Sequence, residues 1–370
     1  MSKKNKAKFD HEILLLQGGG ALGAYQAGTY EGLAEAGHAP TWVIGISIGA
    51  INTALIAGNP PERRVARLHA FWDRVSSYAP FILPTWLNSM RSVANKLSAA
   101  TVATFGSPGF FEPRVPPPFL AMEGTLEATS YCDTSPLKGT LEELVDFDRI
   151  NCRDVRVSLG AVNVRTGASV YFDNQKIRIR PEHVMASGAL PPGFPAVEID
   201  GEHYWDGGIV SNSPLNYVWD EKPLTTALIV LVDLFNAKGE LPRNLDEVGE
   251  RQKDITYASK QRFTSERMKE LGELRQALTD LLAKLPANLK DRPEARKLAT
   301  LCDKRQWLIA RLTNPRLAHG SQTKDYEFSR ATVHDHWAAG LEDVRRAIAN
   351  REGLEPTSLV PGVRFYDLDR

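Results

Sequence analysis

The chain has 370 residues, 42% hydrophobic and 24% charged, enough apolar material for one large globular domain or two smaller ones. Lysine plus arginine and aspartate plus glutamate each number 45, so the formal charge is zero. Without a basic field to gather phosphates, nucleic acid is excluded as a partner. Three widely spaced cysteines, Cys132, Cys152 and Cys302, give neither a disulfide framework nor a metal-ligand spacing and read as reduced thiols of a cytoplasmic protein.

The basic N-terminus "MSKKNKAKFDHE" is followed by no signal-type apolar region. The longest aliphatic run, "ALIVLVDLF", falls short of the roughly 20 residues that span a bilayer, so membrane contact is expected to be peripheral. Residues 12–17, "EILLLQ", predict a buried strand, and "ALGAYQAGTYEGLAEAG" the helix after it. Strand "TWVIGI" and helix "SIGAINTALIAG" repeat the pattern, the grammar of an α/β domain with a parallel sheet. Residues 79–119, rich in proline and aromatics around an amphipathic stretch 86–105, read either as a cap inserted between core elements or as plain surface packing.

Further strands are expected at "DVRVSLGAVNV", "SVYFDN", "KIRIRP" and "TTALIVLVDLF", the first two as a hairpin around Thr166 and Gly167. After residue 240, charged segments with helical spacing predict helices at 245–285 and through "EARKLATLCDKRQWLIARLT", with a last helix opening near Thr332 and Asp335. Residues 240–370 therefore read as a helical extension.

"GISIG", Gly45 to Gly49, fits G-x-S-x-G between a strand and a helix, where a serine sits on a tight turn with its hydroxyl exposed. Ser47 is the candidate nucleophile; the competing reading is a helix N-cap. A hydroxyl needs a base. His319, His334 and His336 satisfy only the chain order of a hydrolase triad. Asp206, followed by Gly207 and Gly208, reads equally as a carboxylate projecting into a cavity or as a hairpin turn. Gly18, Gly19 and Gly20 supply a row of unobstructed amides for an oxyanion. Gly18, Gly20 and Gly23 also match a dinucleotide motif, but the second strand ends in the serine turn instead of an acidic residue. No His/Cys/Asp cluster has ligand spacing, so neither metal nor cofactor is expected.

Together "QGGGALG", "GISIG" and "DGG", with "SLGAVNVRTGASVYFDN" and "ASGALPPGFPAVEIDGEHYWDGG", resemble the patatin-like phospholipase family over residues 12–235. The resemblance implies a three-layer α/β/α domain with a mostly parallel central sheet. It also implies a serine esterase working by a Ser47–Asp206 dyad through an acyl-enzyme, with Gly18, Gly19 and Gly20 as the oxyanion hole. Leu22 stands where many members carry Arg or Lys, and Gln17 where plant members have Asp.

The expected activity is hydrolysis of lipid acyl esters. A thioesterase or hydroxyacyl-ester esterase with the same dyad, and a non-catalytic lipid-binding scaffold, are the alternatives. Phe81, Trp86, Phe110 and Phe111 are expected to line the acyl entrance or touch a lipid surface. The resemblance leaves the oligomeric state open, a homodimer included.

Overall fold

The computed structural model of the chain describes residues 9–76, 98–99, 101–102, 104–221, 225–302, 305–315, 324–350, 354 and 362–368, without the side chains of 259–262. A nine-stranded sheet runs β11 (Gly362–Asp367), β10 (Gln306–Thr313), β9 (Thr226–Asp233), β1 (His11–Leu16), β2 (Trp42–Ile46), β5 (Arg156–Asn163), β8 (Glu202–Asp206) and β7 (Val197–Ile199), with β6 (Ser169–Asp173) paired to β5. β11 through β5 are parallel, β6 and β8 run against them, and β7, antiparallel to β8, returns to their direction. The parallel strands read as continuous apolar runs because both faces are covered. Leu14, Leu16 and Val43 pack towards α1 (Gly23–Glu35) and α2 (Ile48–Ala57), whereas Ile13, Leu15 and Ile44 face Leu215, Val218 and Met268. The result is an α/β/α sandwich of three layers, as the family resemblance implies.

Register explains how distant residues meet. β2 ends where Ile46 pairs with Gly160, and antiparallel β8 takes up the next position, Asp206 opposite Ala161. Since β6 occupies residues 158–162 along the other edge of β5, β2 and β8 lie end to end on one edge. Ser47 and Asp206 therefore emerge at one point of the sheet.

The strand–helix repeats and the hairpin about Thr166 and Gly167 form as expected. Three expectations change. "KIRIRP" is not a strand: Asn151 takes both backbone hydrogen bonds of Ile179, donating to its carbonyl at 2.9 Å and accepting from its N–H at 2.8 Å. "QWLIARLT" is strand β10, added in register to β9, where a helix was expected. The last helix runs Arg330–Asn350, so Thr332 lies inside it and does not cap it.

Residues after 240 are mostly helical, including one helix of 39 residues, Leu245–Ala283. They also carry two strands of the central sheet. The Arg330–Asn350 helix lies against α1 with backbones nearly touching: a Cβ on Gly28 would stand 1.9 Å from the Trp337 carbonyl oxygen. The expected cap falls largely outside the described residues, Phe81 and Trp86 included. Among the described residues no helix is long and apolar enough to cross a membrane.

Candidate active site

Ser47 joins β2 to α2 with φ 57° and ψ −124°, a conformation costly for a residue with a Cβ. Glycines on either side make the turn: a Cβ at Gly45 would stand 2.2 Å from the Gly49 carbonyl oxygen, and one at Gly49 2.3 Å from that of Leu16. The Ser47 side chain makes no capping bond to the helix, so its hydroxyl stays free for other work. Its N–H donates to the Ser187 hydroxyl at 3.0 Å, and that hydroxyl donates to the Gly160 carbonyl at 2.5 Å. Ser187 thus ties the strained turn to β5. Sequence reading missed it, because a serine in "MASGALPP" carries no pattern of its own.

Asp206 is buried beside Ser47, and its Oδ1 accepts from the Gly208 N–H at 2.7 Å. Burial pushes its carboxyl up to about 6, against the pull of the Ser47 hydroxyl and the Gly208 amide toward the ionised form. A carboxylate of that strength is ionised at neutral pH and holds a proton better than an exposed one, which suits a general base.

The glycine loop lies across from the pair. Asn212 grips the Gly18 peptide from both sides, accepting from its N–H and donating to its carbonyl, each at 2.9 Å. That leaves the Gly18 amide engaged. Gly19 and Gly20 line the same cavity, and their amides have no partner among the described residues. Ile48, the first residue of α2, adds an N–H without an intrahelical acceptor. Behind the loop, Gln17 accepts from the Leu234 N–H at 2.9 Å, and its carbonyl accepts from Gln26 at 2.7 Å. Gln26 in turn accepts from Asn52 at 2.9 Å. Leu22 is buried.

One cavity of about 710 Å³, part of it open to solvent, gathers Gly18, Gly19, Gly20, Ser47, Asp206, Gly208 and Asn212. Its wall is aromatic: Phe110, Phe111, Phe194, Phe235 and Phe328, with Phe111 and Phe194 ring centroids 5.1 Å apart. Phe110 and Phe111 are buried in this wall.

The second half of the chain closes the remaining side with Tyr257, Asp325, Tyr326 and Phe328. The Asp325 carbonyl accepts from the Ala21 N–H at 2.9 Å, and its carboxylate meets Lys253 at 2.6 Å. Only a glycine fits opposite: Gly20 has φ 55°, and a Cβ there would stand 2.0 Å from that carbonyl oxygen. Nothing local in the sequence signals this contact.

Among the described residues no histidine lines the cavity. His334 is exposed, His336 is buried with its Nδ1 3.3 Å from the Asn314 Oδ1, and His319 lies outside the described residues. Burial first, then Lys324, depresses the His336 imidazole to about 3.

A patatin-like phospholipase family model matches residues 14–219, and a second, described as patatin phospholipase, matches residues 255–358. VipD from Legionella pneumophila aligns at 14% identity over 93% of this chain and 68% of that chain, with a TM-score of 0.39. The complex of SpcU with ExoU from the type III secretion system of Pseudomonas aeruginosa aligns at 17% identity over 78% and 60%, with a TM-score of 0.30. No curated protein matches the chain.

Proposed function

The chain belongs to the patatin-like phospholipase family, a carboxylic ester hydrolase of lipids, and from that premise we propose that it cleaves fatty-acyl esters by a Ser47–Asp206 dyad. In this reading Asp206 takes the hydroxyl proton as Ser47 Oγ attacks the ester carbonyl. The oxyanion that forms is met by the Gly19 and Gly20 amides, with Ile48 in reserve. Asp206 then returns the proton to the departing alcohol, leaving Ser47 acylated. Water, deprotonated by Asp206, attacks the acyl-enzyme and releases the fatty acid. The strained Ser47 turn needs no rearrangement to present its oxygen.

The observation that carries the reading is the meeting of Ser47, the buried Asp206 and unpartnered glycine amides in one cavity with an aromatic wall. That wall favours an apolar acyl chain over a polar acyl group. Substrate would be drawn from a lipid surface by peripheral contact of a cytoplasmic protein. The deciding experiment compares wild type, Ser47→Ala and Asp206→Asn on a panel of p-nitrophenyl esters, phospholipid vesicles and acyl-CoA. Loss of turnover in both variants, with preference for longer acyl chains, supports the proposal. Retained turnover in either variant rejects the dyad, and preference for acyl-CoA makes the protein a thioesterase.

A further inference from the structure

Between Phe111 and Asp133 the chain leaves the core as a finger. Its base is a two-stranded ribbon, β3 (Glu112–Pro113) paired with β4 (Cys132–Asp133). The Arg114 N–H extends the ribbon to the Tyr131 carbonyl at 2.9 Å. The Tyr131 and Cys132 amides donate to the carbonyls of Pro192 and Gly193 at 3.0 and 2.9 Å. Those two residues lie between Leu190 and Phe194 of the cavity wall, and Phe110 and Phe111 lead directly into the ribbon. The finger is therefore hung on the rim of the proposed active site.

The tip is apolar and turned to solvent. Val115 is 92% exposed, Phe119 79%, Leu120 68% and Met122 78%, with Leu126 also exposed. Side chains of this kind that cover no core mark a contact surface when they cluster. Part of the backbone is paired within the tip: Leu120 and Ala121 donate to Pro117 and Pro118, and Thr125 and Ala128 donate to Met122 and Thr125. Pro116, Pro117 and Pro118 carry no N–H to strip of water. These turns and prolines lower the polar cost of bringing the segment against lipid. Between Phe111 and Asp133 its charges are Arg114 against Glu112, Glu123 and Glu127, with no lysine, so it lacks the basic cluster that draws proteins to anionic lipid.

We propose that residues 115–126 are a lipid-docking finger that seats the cavity mouth on a neutral, zwitterionic bilayer surface. The proposal rests on reading the cavity as an acyl-ester site, since a pocket that takes acyl chains must meet them where they are packed. Seated in this way, the finger brings the Phe110–Phe111 wall to the lipid side of the protein.

The test is co-sedimentation of the full chain with vesicles of phosphatidylcholine alone or with added phosphatidylserine. Wild type, Ser47→Ala and a triple variant, Phe119→Ser with Leu120→Ser and Met122→Ser, are compared. The three tip residues are exposed and outside the cavity, so the triple variant should melt like wild type and keep its turnover of short soluble esters. Its partition onto phosphatidylcholine should fall at least about tenfold, a modest demand for three side chains leaving an apolar phase. Ser47→Ala should bind like wild type while silent on esters.

Wild-type binding by the triple variant overturns the proposal. So does binding that requires phosphatidylserine and vanishes in salt. If wild type ignores both vesicle types while the tip substitutions change its oligomeric state, the finger is a protein contact and the proposal also fails. Should wild type hydrolyse no ester, yet lose vesicle binding with the tip, the docking finger stands and the acyl-hydrolase reading falls.

Discussion

Replacing Asp206 by Asn should destroy turnover and, above neutral pH, stabilise the fold. Desolvation in the cavity raises this carboxyl from 3.8 to about 6, so folding favours its protonated form by about 3 kcal/mol. The sign follows from where each state holds the proton. Below about pH 4 both folded and unfolded chains are protonated and the group contributes nothing. Between 4 and 6 the unfolded chain ionises first, and the folded state loses stability relative to it. Above 6 the cost is complete. An Asn amide keeps an oxygen for the Gly208 N–H, which Asp206 meets at 2.7 Å, and carries no charge to desolvate. Asp206→Asn should therefore melt several degrees above wild type at pH 8 and together with it near pH 4. Turnover should fall about 10²–10⁴-fold, the usual loss when a general base is removed. Differential scanning calorimetry at the two pH values reads the difference. Equal melting at pH 8, or the same gain at pH 4, would refute the burial argument.

Wild-type kcat/KM for a soluble ester should rise through a single ionisation near pH 6, where Asp206 gives up its proton, and then level off; a pH–rate profile without that step removes Asp206 as base. Asn212→Ala strips both hydrogen bonds from the Gly18 peptide, so kcat should drop about 10²-fold as the loop loosens, with KM nearly constant in steady-state assays. Gly20→Ala drives a Cβ into the Asp325 carbonyl and should lower both melting temperature and activity, whereas Gly37→Ala, with nothing near its Cβ, should cost only the strain of φ 80°. His334→Ala should leave turnover intact because the residue is exposed and away from the cavity, and a large loss would revive a histidine triad.

The parts of the site that a sequence can announce are those in which chemistry demands particular residues at short range. A serine between Gly45 and Gly49 at a strand end, an aspartate before Gly207 and Gly208, and three glycines after β1 are such cases. What stayed hidden depends on contacts between distant segments. Asn212 looks like an ordinary turn residue in "SNSP", and only the fold reveals that it holds Gly18. The Asp325–Phe328 stretch carries no motif, yet its carbonyl fixes Ala21 and its phenylalanine completes the aromatic wall. β10 was misread because both of its faces are buried, which removes the alternation that marks a strand, and because charged helical segments surround it. The long stretch after residue 240 is helical as expected. The surprise is that it supplies an edge of the sheet and a wall of the cavity.

The central claim, a hydroxyl at Ser47 acylated with help from Asp206, is tested most directly by quenching the protein during turnover of a long-chain p-nitrophenyl ester and mapping the adduct by peptide mass spectrometry. The account predicts an acyl group on the Ser47 peptide of wild type, none in Ser47→Ala and almost none in Asp206→Asn. Undiminished ester turnover by Ser47→Ala, or an adduct carried by another residue, would contradict it.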